Sequence, residues 1–168
     1  MQKYVFRKYS PKYRDFFVCE KEKLVRALGL TVKIEHVGST AIPNLGGKGI
    51  IDIVVGISHS KLSEAKKILE KLDYIFSTTA GSPDRLFFKR DYPYRGRKRR
   101  VHIHLTKFNS KDWKEMIGFR EYLLMHPEIV KQYVRIKKNA VKEASGDGKR
   151  YKQFKDAFVE NITKEALR

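Results

Sequence analysis

Apolar residues recur along this chain with two periods, and the change from one to the other marks its elements. Pro11 to Leu28 predicts a helix, with Phe16, Phe17, Leu24 and Leu28 among its apolar residues and Gly29 as the stop signal. "TVKIEHV" alternates as a strand over Thr31 to Val37, and the apolar run Gly49 to Ile57 predicts a more buried strand. Ser60 is placed to cap a helix in which Leu62, Ala65, Ile68, Leu69 and Leu72 fall at helical spacing. Tyr74 to Ser77, Arg85 to Arg90 and Val101 to Thr106 predict three more strands, the last two separated by "DYPYRGRKRR" with Pro93 and Gly96 as turn residues. From Ser110 onward the pattern is helical: Ser110 to Met125, Pro127 to Ala144, and Lys149 to about Thr163. "SGDG" separates the last two, and Pro127 stands where a helix tolerates proline best, at its start.

These elements predict an α/β (α+β) fold, a mixed sheet with flanking helices followed by a helical C-terminal part. Strands and helices do not alternate regularly, which disfavours a purely parallel Rossmann sheet. At 168 residues the chain suits one domain, with a sheet part over about 1–108 and a helical part over about 109–168.

Composition adds that the chain folds and does not span a bilayer. Its 41% hydrophobic content is that of a globule, and every apolar run falls short of the roughly 20 residues a membrane helix needs. "MQKYVFRKYS" lacks the apolar centre of a signal peptide, and Cys19 stands alone, so a cytoplasmic protein without a disulfide framework is expected. Cys19 itself reads as a small structural thiol on a helix face. Charge changes the picture more. Lys and Arg number 37 against 19 Asp and Glu, a formal net charge of +18. That imbalance attracts phosphate-bearing partners and nonspecific nucleic acid, or else keeps a lysine-rich surface soluble.

Candidate chemistry gathers in "HVGSTAIPNLGGKGIIDIVV", residues 36–55. Asp52 interrupts a strand of Ile50, Ile51, Ile53, Val54 and Val55, and a buried carboxylate needs a partner. Gly38 and Ser39 form a turn whose amides and hydroxyl suit phosphate oxygens, and only a loop and half a strand separate them from Asp52. Lys48 can neutralise a phosphate, although "GGKGI" lacks the spacing of a Walker loop. His102 and His104 in "VHIHLT" are two apart on a strand and project from one face. With a carboxylate they match a two-histidine, one-carboxylate metal site; the alternative is a hydrogen-bonded histidine pair in a polar pocket. Arg120, between Phe119 and Tyr122, is partly buried and should meet a carboxylate or a phosphate. Tyr133 with Lys137, and Tyr151 with Lys155, share helix faces at i, i+4, where they bracket a base and a phosphate or lie along a helix edge. "RGRKRR" puts five cations in six positions at a presumed hairpin tip, a solvated loop or a nonspecific phosphate contact.

Taken together, "EHVGSTAIPNLGGKGIIDI", the "HIHL" strand, "FREYLLMHPE" and the two Tyr-x-x-x-Lys stretches resemble the GrpB family in order and over nearly the whole chain. That family is similar in fold to the DNA polymerase beta-like nucleotidyltransferases, which implies a nucleotidyltransferase-like mixed sheet. In that superfamily a Gly-Ser turn holds nucleotide phosphates, and a carboxylate pair on the next strand, joined by a third on a later strand, holds divalent metal. The resemblance therefore implies nucleotide and metal roles for Gly38, Ser39 and Asp52. It also implies departures: Val54 stands at the second carboxylate position, His102 and His104 on the strand of the third, and Lys48-Gly49 where the family usually has Lys-Pro. The domain also occurs joined to dephospho-CoA kinase in some proteins, a pointer toward coenzyme A metabolism.

The expected function is thus a nucleotidyltransferase-fold protein that binds a nucleotide or other phosphate ligand, with transfer of a nucleotidyl group open. Asp52 and His104 are the candidate catalytic residues. Gly38, Ser39, Lys48, Arg85, Arg120, Lys137 and Lys155 are the candidate phosphate contacts, and Asp52, His102 and His104 the candidate ligands of Mg²⁺, Mn²⁺ or Zn²⁺. The alternatives are a non-catalytic basic module that binds nucleic acid and a single-metal hydrolase built on Asp52 and His102 or His104.

Overall fold

The computed structural model describes residues 6–94, 96–145 and 147–168. Helix α1 (Lys12–Leu28) precedes strand β1 (Lys33–Val37), and a short 3-10 turn (Ser39–Ala41) and a loop lead to β2 (Ile51–Ile57). Helix α2 (Leu62–Lys71), the strands β3 (Ile75–Ser82), β4 (Arg85–Tyr94) and β5 (Arg97–Lys107), and the helices α3 (Lys111–Met125), α4 (Pro127–Ala144) and α5 (Gly148–Ala166) follow. The strands form one five-stranded sheet in the order β1-β2-β5-β4-β3. Only the central β2–β5 pairing is parallel, so the sheet is mixed, as its irregular alternation with helices predicts.

Each expected strand and helix is present, and the differences have local causes. The stretch "DYPYRGRKRR" reads as a turn, yet strand pairing runs on through it from Arg85↔Thr106 to Tyr94↔Arg97. Gly96 has φ +69°, and Arg95 lies outside the described residues. Ser60 does not cap α2: it lies within a 3-10 turn, His59–Lys61, and no side chain caps the helix. Cys19 is exposed rather than structural, because the buried side of α1 carries Tyr13, Glu20 and Leu24. Ser110 does cap α3, accepting from the Trp113 amide at 3.2 Å. In "SGDG", where Gly146 lies outside the described residues, Asp147 caps α5 by accepting from the amides of Lys149 and Arg150.

Side chains of a strand alternate between faces, and the two faces of this sheet differ in chemistry. Ile51, Ile53 and Val55 on β2, with Val101, Ile103 and Leu105 on β5, pack into a core with Leu24 of α1 and Leu69 of α2. Asp52, His102 and His104 occupy the alternate positions and line the cavity on the other side of the sheet. Trp113 of α3 covers Val37 and Val54 there. A further apolar cluster joins Ile42 and Leu45 of the loop after β1 to Leu123, Val130, Tyr133 and Ile162 of α3, α4 and α5. The three C-terminal helices therefore roof the polar face, and the candidate site lies beneath them.

Candidate functional site

The antiparallel pairing of β1 with β2 sets Val37 opposite Asp52, so the turn that leaves β1 lies directly over the carboxylate. Gly38 has φ +70°, and a Cβ on it would stand 2.5 Å from Asp52 Oδ2. Conformation and space thus both require glycine there. The loop beyond is tied down at both ends. Thr40 Oγ1 donates to the Ile50 carbonyl at 2.9 Å, which leaves His36 Nε2 to donate to Thr40 Oγ1 at 2.9 Å. His36 is buried and stacks on Phe17 with ring centroids 4.7 Å apart. Burial pushes its pKa down to about 4 against the attraction of Asp52, with Arg120 adding to the fall, so it stays neutral and structural. Arg7 and Gly47 exchange backbone hydrogen bonds of 2.7 and 2.9 Å and hold the far side of the loop.

The parallel register of β2 and β5 pairs Asp52 with His102 and Val54 with His104. His102 Nδ1 lies 3.0 Å from Asp52 Oδ1, and since an ionised carboxylate can only accept, the imidazole donates. His104 Nε2 approaches the same oxygen at 3.8 Å, an ion-pair distance rather than a hydrogen bond. Phe87 of β4 meets both imidazoles edge-on, at 4.8 and 5.3 Å between centroids. Burial alone would raise the Asp52 pKa, but the hydrogen bond from His102 and the proximity of His104 outweigh it and hold the carboxyl below its usual range. His102 and His104 meet the carboxylate directly, and among the described residues no three His, Cys, Asp or Glu side chains are grouped to hold a metal ion. Val54, the second carboxylate position, is 0% exposed and packed beneath Trp113.

A cavity of about 520 Å³ opens beside Asp52, with Gly38, Ser39, Lys48, Arg85, His102 and His104 also on its wall. Helices α4 and α5 close it from above with Tyr133, Lys137, Tyr151 and Lys155. Lys137 is 3% exposed. Its Nζ donates to the Gly46 carbonyl at 3.1 Å and lies 4.6 Å from the centre of the Tyr133 ring. Burial, then the charge of Lys155, press its pKa down to about 7; Asp52 opposes this and Lys48 adds to it. Lys155 is also lowered, by burial first, with Asp156 opposing and Lys48 reinforcing the fall. A Cβ on Gly47 would sit 2.8 Å from Ser39 Oγ and 3.1 Å from Lys137 Nζ, so the loop packs tightly against both. Arg85 lines the cavity while its NH1 lies 3.3 Å from Asp112 Oδ1.

Every candidate named from the sequence except Arg120 borders this one cavity. Arg120 meets carboxylates instead: it donates to Glu35 Oε2 and to the His36 carbonyl, both at 2.8 Å, and through Nε and NH2 to Glu121. It is a clasp between α3 and β1. In the basic stretch, Arg99 donates to the Gly49 carbonyl at 2.9 Å and Arg100 pairs with Asp91 at 2.7 and 2.8 Å. Those two cations serve the fold as well as the surface. Glu115, Lys152 and Thr163 also line the cavity, and no motif in the sequence marks them.

The GrpB protein family model matches residues 4–165 of the chain. The chain belongs to the GrpB family. Two relatives are UPF0157 protein YqkA of Bacillus subtilis, 30% identical over 95% of this chain, and PA4798 of Pseudomonas aeruginosa, 33% identical over 94% of it. The chain spans 46% and 65% of the length of those two proteins. The crystal structure of GrpB from Enterococcus faecalis superposes with a TM-score of 0.83 at 29% identity, over 97% of both chains. The GLD-2/RNP-8 complex superposes with a TM-score of 0.54 at 12% identity, over 79% of this chain and 55% of that one. At that identity the likeness concerns the fold, and the GrpB chain has a nucleotidyltransferase-like mixed sheet with flanking helices. Among its described residues no helix is long and apolar enough to cross a membrane.

Proposed function

We propose that the chain binds a nucleotide or another phosphate-bearing molecule in the cavity beside Asp52. Gly38 and Ser39 approach the phosphate, and Lys48, Arg85, Lys137 and Lys155 supply opposing charge. The observation that carries this reading is the confinement of Lys137 and Lys155 in a roofed cavity, where each lowers its charge at a cost. An anion placed among them reverses that cost, because an opposite charge favours the ammonium form. The tyrosines Tyr133 and Tyr151 and the apolar Val159 and Met116 offer a surface for a base or another flat group.

Catalysis, where it occurs, rests on Asp52 and His104. Asp52 accepts from His102 Nδ1 and lies 3.8 Å from His104 Nε2, an arrangement of carboxylate and imidazoles that suits general acid–base work. Nucleotidyl transfer of the usual two-metal kind is not supported, since it needs bridging carboxylates and the chain has Val54 at the second position. A cytoplasmic setting goes with this reading, and the one cysteine, Cys19, is a free thiol. Calorimetry with ATP, CTP, GTP, UTP and coenzyme A tests it, paired with a turnover assay on whichever binds. Heat of binding at millimolar or tighter affinity, abolished in Gly38→Val, is expected; no heat from any of them ends the reading. The net charge of +18 favours a second reading, weak nonspecific binding of nucleic acid, which a salt titration separates from the first.

A further inference from the structure

The polymerase-like fold implies divalent metal at this position, and the residues present do not fit it. A pair of Mg²⁺ ions here would need carboxylates beside Asp52, yet Val54 is packed under Trp113 and β5 presents His102 and His104. The imidazole nearest the carboxylate is committed as well. His102 Nδ1 donates its proton to Asp52 Oδ1 at 3.0 Å, so this pair is satisfied without an ion and only Nε2 keeps a lone pair. Glu115, the other acid of the cavity wall, lies 3.7 Å from Lys111 Nζ.

The opposite wall carries the charge that a metal would otherwise bring. Lys137 of α4 faces Lys155 of α5, Lys48 and the Gly46 carbonyl of the loop, and Asp52 of β2, with Tyr133 of its own helix beneath it. We propose that this pocket takes its phosphate ligand free of divalent metal, with Lys137 and Lys155 neutralising the phosphate and Asp52 acting as their internal counter-ion. The proposal rests on the phosphate-binding reading above and adds which charge state of the ligand is recognised: the free polyanion rather than its magnesium complex.

Asp52 gives the two accounts opposite signs. In a metal site its carboxylate is a ligand, and Asp52→Asn loses binding. In a metal-free site the carboxylate repels the incoming phosphate, and Asp52→Asn keeps the size while removing the repulsion.

The experiment is calorimetry with ATP, and separately with tripolyphosphate, in chelator and in excess Mg²⁺ or Mn²⁺. ATP should bind in chelator, and tripolyphosphate with it. Excess Mg²⁺ should weaken ATP several-fold, because the complex carries two charges fewer. Asp52→Asn should tighten ATP in chelator about threefold to tenfold, the scale of one repulsion at short range. Lys137→Met and Lys155→Met should each weaken it about tenfold, the scale of one charge-assisted hydrogen bond. Binding that appears only with metal, or that Asp52→Asn abolishes in a folded protein, overturns the proposal and leaves the phosphate pocket standing. If Asp52→Asn does not fold, the chelator and metal arms on the wild type decide by themselves. No binding of either probe under any condition takes down both.

Discussion

Lys137→Met isolates the energetics of the pocket from those of its ligand. Lys137 sits in the roofed cavity with its pKa pushed from the ordinary 10.5 to about 7. Below about pH 7 folded and unfolded chains both carry the ammonium, and the folded chain bears its full cost. Between about 7 and 10.5 the unfolded chain holds a proton that the folded one lacks, so this group makes stability rise with pH. Above that window both are neutral and the cost is gone. The shift corresponds to roughly 4 to 5 kcal/mol at the acidic end. Methionine removes the charge and keeps most of the packing, but leaves the Gly46 carbonyl without its donor, a loss of about 1 to 3 kcal/mol. The expected net gain at pH 7 is therefore about 1 to 3 kcal/mol, or a Tm rise of about 3 to 10 °C for a chain of this size.

Urea denaturation of wild type and Lys137→Met at a series of pH values from about 6 to 10 measures this directly. The difference between the two curves cancels titrations they share. It should be largest at the acidic end and shrink as pH rises, and the same variant should bind phosphate ligands worse. A residue that destabilises the fold yet strengthens binding is the mark of a site kept for function. A methionine variant less stable than wild type at pH 7, or a gap that grows with pH, refutes the reasoning.

Gly38→Val combines a strained φ with a side chain driven into Asp52 Oδ2, so ligand binding should vanish and stability fall by about 1 to 3 kcal/mol in a melting curve. Val54→Asp should not restore a metal pair: a carboxylate buried beneath Trp113 should cost about 3 to 5 kcal/mol with no gain in Mg²⁺ binding. A stable Val54→Asp protein that binds Mg²⁺ by calorimetry would sink that view. Nucleic acid should bind weakly, with log affinity falling against log salt at a slope of about −4 to −5 if five phosphates are engaged. Arg99 and Arg100 also hold Gly49 and Asp91, so Lys98→Ala alone should change the slope by at most about one; fluorescence anisotropy that persists at high salt would point to a specific site instead.

What the sequence discloses here is what local patterns determine. The apolar run around Asp52 and the alternation in "VHIHLT" give two strands and put Asp52, His102 and His104 on defined faces; a strand, turn, loop and strand in succession bring Gly38 back over Asp52. The pairing of β4 with β5 through residues 91–100 is hidden, because Pro93 and Gly96 are turn residues while cross-strand pairs such as Asp91 with Arg100 favour the ladder. Arg120 shows the same limit. Its burial is legible from Phe119 and Tyr122, but its partner Glu35 lies 85 residues away and only the docking of α3 on β1 supplies it. Lys137 is visible as the i+4 partner of Tyr133, whereas its burial comes from α5 packing over α4. Val54 reads as apolar without revealing that Trp113 roofs it.

These tertiary contacts explain why Asp52 persists without its usual carboxylate partner. Burial first, and then neighbouring lysines, lower the pKa values of Lys137 and Lys155, and Asp52 pulls both back up. Remove it and Lys137 would lose more of its proton in the empty site, even though an arriving phosphate would meet less repulsion. On the proposed reading, Asp52 trades binding strength for readiness: it keeps the ammonium charged enough to capture an anion. The hydrogen bond from His102 ties down the carboxylate, and Phe87 meets both imidazoles edge-on. A phosphate that reaches Lys137 and Lys155 takes over the neutralising role, and it succeeds only by offering more negative charge than one fixed carboxylate does. The same balance disfavours neutral sugars and bases, whose arrival would leave the lysines as repulsive as before.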